Sequence, residues 1–553
     1  MPHSPESIRR LLLDLVAIPS VSPDPRTEDA AVRYLRDRLT MLSWFRDHPE
    51  DLALLPCEGD PLGRSFLFAL LRPRPGLRDT VILTGHIDVV GVKVCGPLAP
   101  YAFDPEGYGT RIGGMPLSPS ARRDLESGEW LFGRGVADMK CGAAVATALL
   151  EDFAEEHAAL ETNLALLFVP DEEDSSRGML GAVRHLARLQ DGGLRFLACI
   201  NTEPSIGTGD RLSDLAAVCT GSAGKINPFF FCVGREAHLG EYYEGLSAAL
   251  LTSQINLLIE GDPARADRGG REALTPWACM KHRDFRHEYS CSVPERSASY
   301  YSYFTAETLP GRLLEEMRRI AGTALRLSIA RTRKNARRFS RMGKPRPAAL
   351  DLEPRVLTYA ELEGRARAAA GPDWEAAVEA AGNALPPGSD ARDRALARVD
   401  ACVTLAGEKG PLVVIGYLMP WYPHRGNDGR SVGDRAMLAL ARDLRSFAAS
   451  LGSPLSIRPY YEGISDLSYL AAPCGKADLA AFTENVPGYG PLYELPLEAL
   501  DRLEVPVLNL GPVGKDAHKL SERIHEGFAF KTYPKLLRRA VLGAGKTGAS
   551  GML

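Results

Sequence analysis

Phe132-Gly133-Arg134-Gly135-Val136-Ala137-Asp138-Met139-Lys140-Cys141-Gly142 is the stretch on which the reading of this chain turns. Glycines flank a turn, and the turn delivers one acid, Asp138, to the start of an apolar run of helical character (Ala143, Ala144, Val145, Ala146, Leu149, Leu150). A carboxylate there lies near the partial positive charge of a helix N-terminus. Its two oxygens allow it to bridge two cations. Asp138 is therefore read as the point on which ligand-type residues from other segments converge.

Those segments emerge from the alternation of apolar runs and helical patterns on either side. Strands are expected at 66–71, 81–90, 164–169, 194–200, 455–459 and 505–510. Helices are expected at 138–156, 181–189 and 432–451, and two more between 5 and 40, split at Pro19. This alternation predicts an α/β fold, a mostly parallel mixed sheet covered by helices. In open parallel sheets, ligands bind beyond the carboxyl ends of the strands. Here four such ends carry ligand-type residues. They are His86-Ile87-Asp88, Pro170-Asp171-Glu172-Glu173-Asp174, Asn201-Thr202-Glu203-Pro204, and the run from Gly511 to His518. Two histidines and three carboxylates, one of them shared, give two divalent ions ligands with a position left for water. The donor types suit zinc, with cobalt and manganese the alternatives.

Between these halves the pattern changes. Strands are expected at 226–233, 289–293, 297–304 and 411–419. Helices are expected at 245–259, 309–332, 361–370, 374–381 and 391–406. Residues 1–214 with 426–553 are read as the metal-dependent catalytic domain, and 215–425 as an inserted α+β domain. The basic, Pro/Gly-punctuated segment 333–347 is expected to be a solvated surface, and the Gly/Ser-rich end, 543–553, to fray.

Length and composition bound the function. At 553 residues the chain exceeds what one core supports. Apolar residues make up 45% and charged residues 25%, with net charge -4 and pI near 6.3. That acidity argues against nucleic-acid and membrane-surface binders. The N-terminus reads as an amphipathic helix (Ile8, Leu11, Leu12, Leu15, Val16) rather than a signal peptide, and no apolar window is long enough for a membrane span. Ten scattered cysteines without a Cys-x-x-Cys pair fit free thiols in a reducing cytoplasm.

The motifs Gly85-His86-Ile87-Asp88, Phe132 to Lys140, Pro170-Asp171-Glu172-Glu173, Glu203-Pro204-Ser205 and the C-terminal His518 resemble, in order, those of the M20 family of metallopeptidases and amidohydrolases. Gly463-Ile464-Ser465-Asp466-Leu467-Ser468-Tyr469 and the long insert are similar to the RocB-type arginine-utilisation branch. The resemblance implies a zinc-peptidase-like catalytic domain and a lid/dimerisation domain. It implies that Asp138 bridges both metals, that His86 and Glu203 hold one ion, and that Glu173 and His518 hold the other. Asp88 would orient His86, Glu172 would be the general base, and the Asp138–Met139 peptide would be cis. The lid would pair two chains into a homodimer, and His238, in Gly234-Arg235-Glu236-Ala237-His238, would reach the neighbour's site and stabilise the oxyanion. Gly463, Ser465 and Asp466 would line a backbone loop that binds the far end of the substrate.

The chemistry so implied is hydrolysis of an amide in an N-acyl amino acid or small peptide, with Glu172 moving the proton from water to the leaving amine. An exo- or dipeptidase of the same fold is the rival within the class. A non-catalytic, metal-stabilised binding protein is the rival outside it, and an acid beside the metal ligands speaks against it. Nucleic-acid binding through Arg331 to Arg346 is disfavoured by net acidity and by the single interleaved aromatic, Phe339.

Overall fold

A computed structural model of the chain describes residues 3–207, 209–270, 272–286, 289–343, 352–386 and 388–550. It divides into two compact units. The first comprises the described parts of Met1–Ala223, Arg425–Ala472 and Pro496–Leu553, and the second those of Gly224–His424 and Pro473–Leu495.

The first unit is built on an eight-stranded mixed sheet. Its order is Leu52–Pro56, Ser65–Leu71, Asn163–Val169, Asp79–His86, Arg195–Asn201, Val507–Leu510, Ala217–Cys219, Ser456–Arg458. The middle four strands run parallel, and the pairs joining them to either flank are antiparallel. Strands covered on both faces read as unbroken apolar runs. Asn163–Val169 is buried at every position, and Asp79–His86 at all but the first. Lys140–Glu155 packs with Pro5–Val16 and Tyr533–Ser550, their apolar faces forming one core with Leu83, Leu166 and Leu508. The first helix forms as its sequence dictates. Ser4 caps it by accepting the Ser7 N–H, Pro5 occupies the first turn, and Ile8, Leu11, Leu12, Leu15 and Val16 face inward. No helix among the described residues is long and apolar enough to cross a membrane.

A second, four-stranded sheet positions the site. It joins Trp130–Phe132, Arg523–His525, Val513–Lys515 and Ser205–Ile206. These strands lie immediately beside the Asp138 turn, the His518 turn and Glu203. Three ligand-bearing segments are thus tied to one another by backbone hydrogen bonds.

The second unit carries a five-stranded sheet, ordered Ala278–Asp284, Arg296–Thr305, Gly224–Val233, Leu412–Tyr422, Arg355–Thr358. Only the last pair is parallel. Helices Ala248–Ile259 and Pro310–Ser340 pack on each other, as do Trp374–Asn383 and Ala391–Leu405.

Three expectations are corrected. The strand expected at 289–293 is absent. Ser290 and Ser292 hydrogen-bond locally to Arg286, to Glu236 and to each other, which competes with a ladder, and only Ser292 forms an isolated bridge, to His238. The strand is Ala278–Asp284, an edge whose Lys281, His282 and Arg283 disguise it as a loop. Residues 473–495, assigned from sequence to the catalytic domain, belong to the second unit. Asp478 accepts the Gly311 N–H at 3.0 Å, Phe482 packs on Tyr417 and Trp421, and Asn485 accepts from Tyr417 and Ala360. The end expected to fray is helical through Ser550, and 551–553 lie outside the described residues. The segment 333–347 is a surface where described, as expected: residues to Ser340 continue the long helix with exposed or half-buried side chains, and 344–347 lie outside the described residues.

Candidate metal centre

The site starts at the ends of the parallel strands. His86 closes its strand. Its Nδ1 lies 3.0 Å from the Asp88 carbonyl oxygen and 3.4 Å from the Asp88 carboxylate, which fixes the ring. Its Nε2 faces Asp138 Oδ1 at 3.2 Å and Glu203 Oε1 at 3.0 Å. The other Asp138 oxygen, Oδ2, lies 3.2 Å from His518 Nε2, which also meets Glu173 at 3.1 Å. Two groups of ligand-type atoms result, His86–Asp138–Glu203 and Asp138–Glu173–His518, each within 4.8 Å internally, and Asp138 belongs to both. The Asp138–Met139 peptide is cis.

Glu172 lies beside these groups, its Oε2 3.9 Å from His86 Nε2. Asp88 acts twice. Besides orienting His86, its carboxylate accepts the N–H groups of Glu172 and Glu173 at 3.2 and 3.1 Å, so one acid fixes a histidine and two further acids. The site helix comes close because residue 142 is glycine. A Cβ there would collide with the Thr202 carbonyl and lie 2.8 Å from its hydroxyl.

The electrostatics call for cations. Five acids, Asp88, Asp138, Glu172, Glu173 and Glu203, gather against two imidazoles, and burying so much negative charge is costly without a counter-ion. Without metal, burial pushes Glu172 well above the ordinary carboxylate value, and Glu203, Asp466 and Glu173 add to the rise against the pull of His86. Burial and the Asp138 charge push Glu203 up to about 8. Asp138 goes the other way, as hydrogen bonds from His518 and His86 overcome its burial. Burial would lower His518, but Asp138 and Glu173 raise it to about 11. Imidazole and carboxylate donors arranged around a shared carboxylate fit two divalent ions.

A family model described as peptidase family M20/M25/M40 matches residues 82–421. The chain belongs to this family. This M20 chain is 34% identical over 539 residues to uncharacterized protein YqjN of Bacillus subtilis (strain 168), covering 96% of this chain and 95% of that protein. It is 26% identical over 541 residues to protein RocB of the same organism, covering 97% and 94%. Among solved structures, a tripeptidase from Staphylococcus aureus is similar in fold, with TM-score 0.50, 13% identity, and coverage of 98% of this chain and 99% of that one. As an M20 member the protein is a hydrolase of the peptidase and amidohydrolase class, and the RocB resemblance runs nearly its full length.

The structure thus brings together His86, Asp88, Asp138, Glu172, Glu173, Glu203 and His518 in the first unit. Ser465 and Asp466 are buried in the same unit. The Ser465 hydroxyl accepts from Asn201 at 2.9 Å and from the Leu467 N–H, a structural use of that side chain. His238 is exposed in the second unit, its Nδ1 accepting the Gly240 N–H.

Sequence reasoning on this M20 chain missed three supports. Glu522 is buried, and its Oε1 accepts the N–H groups of Gly135, Ala137 and Asp138 at 2.8, 3.3 and 3.4 Å, while Oε2 pairs with Arg134. Arg64, buried with Glu28 and Asp60, meets Asp171 at 2.6 Å just before Glu172. Tyr461 lies with its hydroxyl 3.5 Å from Glu203. The spacing of His518 and Glu522, four residues apart at one turn, was the available signal for the first. Nothing in residue type marks the other two.

Proposed function

We propose that the protein hydrolyses an amide bond in a small molecule, an N-acyl amino acid or a short peptide, with two divalent metal ions, most simply zinc. One observation carries the reading. The two oxygens of Asp138 face two separate ligand sets, and a further acid, Glu172, stands beside His86. His86 and Glu203 would hold one ion, Glu173 and His518 the other, and Asp138 both. When bound, such ions supply Lewis acidity toward a water and the scissile carbonyl. Glu172 accepts the water's proton on its carboxylate and returns it to the departing nitrogen. Its position beside the ligand-type residues, with its backbone N–H held by Asp88, suits a group that must take a proton from water and pass it on. Asp88 keeps His86 in place and fixes the backbone that carries Glu172 and Glu173.

Two further assignments come from the family resemblance. The inserted unit would act as a lid and pair two chains, bringing His238 to the partner's site. The backbone from Gly463 to Asp466 would hold the far end of the substrate. The resemblance to the RocB-type arginine-utilisation branch makes an arginine-related amide the first substrate to test.

The test is amine release from a panel of N-acyl amino acids and dipeptides by metal-loaded wild type and Glu172→Gln. Wild type should hydrolyse one class. The variant should bind metal equally and lose roughly 10²–10⁴-fold in rate. A variant with near-wild-type turnover would remove Glu172 from its role. Silence of the wild type at full metal loading would count against the amide reading.

A further inference from the structure

The described residues of the first unit hold one aromatic hydroxyl against the ligand set, and no sequence motif marks it. We propose that the Tyr461 hydroxyl is a catalytic hydrogen-bond donor, supplied by the same chain, to the oxygen anion that forms when the amide carbon becomes tetrahedral. The proposal rests on the amide-hydrolase reading above.

Tyr461 is 9% exposed, and its backbone is fixed on both sides. Its N–H donates to the Gly221 carbonyl at 2.8 Å, and its carbonyl accepts the Ala223 N–H at 3.0 Å. The ring lies over Gly463, where any side chain would collide with it and a Cβ would come within 2.9 Å of the hydroxyl oxygen. Glycine at 463 therefore gives the ring its place. The hydroxyl oxygen is 3.5 Å from Glu203 Oε2, longer than the ~2.5–3.0 Å of a formed O–H···O bond. Glu203 makes its shorter contact, 3.0 Å, with His86. The tyrosine proton is thus aimed at the ligand set without being committed to Glu203. A neutral donor held rigidly in a buried site is what stabilises charge that appears only in the transition state.

The electron count is simple. Water oxygen adds to the carbonyl carbon, its proton goes to Glu172, and the carbonyl π pair moves onto oxygen, where Tyr461 donates a hydrogen bond and keeps its proton. On collapse that pair reforms C=O, and the C–N pair leaves with nitrogen, which takes the proton from Glu172.

The test uses Tyr461→Phe, which keeps the ring, and inorganic phosphate as a tetrahedral oxyanion probe. Metal content and metal affinity should match wild type. Phosphate binding to the metal-loaded protein, read by calorimetry, should weaken about 10- to 100-fold. On any hydrolysed substrate kcat should fall about 10²-fold with KM unchanged. Gly463→Ala, which displaces the ring, should weaken phosphate similarly and add nothing in a Tyr461→Ala background. Equal phosphate affinity in wild type and Tyr461→Phe, no phosphate binding by loaded wild type, or loss of metal affinity in the variant would each overturn the proposal. Weakened phosphate binding alongside a silent substrate panel would leave the donor standing and reject the amide reading.

Discussion

At the scale of single residues, this site depends on acids that hold other acids. Glu522 touches no ligand-type side chain in either metal group, yet its carboxylate gathers the N–H groups of Gly135, Ala137 and Asp138 and so fixes the turn from which Asp138 projects. Its other oxygen pairs with Arg134, which is itself buried. Glu522→Gln keeps one acceptor but removes the counter-charge of Arg134. Metal affinity, read by competition with a chromogenic chelator, should fall about 10- to 100-fold, and the melting temperature should fall as well. Adding Arg134→Met removes the stranded charge. It should restore much of the melting temperature while metal affinity stays low. Recovery of both together would mean that Glu522 serves only the pair and not the turn. The ligand-type residues were legible in the sequence because their chemistry is unusual at strand ends. Arg64 and Tyr461 were not, because they meet the site through a buried guanidinium and a phenol hydroxyl brought in from distant segments. Those contacts have no one-dimensional pattern.

At the scale of elements, legibility followed burial. The four central strands are apolar on both faces and read directly, as did the helices with one apolar stripe. The edge strand Ala278–Asp284 and the returning segment 473–495 did not, since an edge tolerates charge and a short helix such as Lys476–Thr483 carries little periodicity. The helix Arg177–Asp191, which follows the Glu172–Glu173 loop, shows what burial does to a titratable group. His185 packs against Phe66 and Phe68, with ring centroids 6.1 and 4.8 Å away, and burial lowers its pKa from about 6.5 to about 4. The folded state therefore binds this proton less readily than the unfolded chain. The stabilising effect is complete above pH 6.5 and is lost as pH falls toward 4. His185→Leu keeps an apolar side chain against both rings and has no proton to take up. Between pH 7.5 and 4.5 its melting temperature should fall less than that of wild type, by differential scanning calorimetry. Parallel curves would mean that His185 already titrates normally in the fold.

At the scale of the whole molecule, the ligand-type acids and His238 belong to different units of the chain. The ligand-type residues and Glu172 lie in the first unit, while His238 sits exposed in the second, in the loop bridged to Ser292. A histidine of the second unit can serve either its own chain's site or that of a paired chain, and the two arrangements predict different genetics. Let one chain carry Glu172→Gln and the other His238→Ala. If His238 acts within its own chain, every site in a mixture is defective, whatever the exchange of subunits. If it acts across a two-fold pair, the His238→Ala chain keeps its own Glu172 and receives a working His238 from the Glu172→Gln chain, so each heterodimer has one intact site. An equal mixture of the two inactive proteins, incubated until subunits exchange, should then recover about a quarter of wild-type activity. Sedimentation should show a species near twice the 60.0 kDa chain mass. A stable dimer without recovered activity would place His238 outside the partner's chemistry. A monomer that is fully active would remove the pairing and any donation of His238 across it.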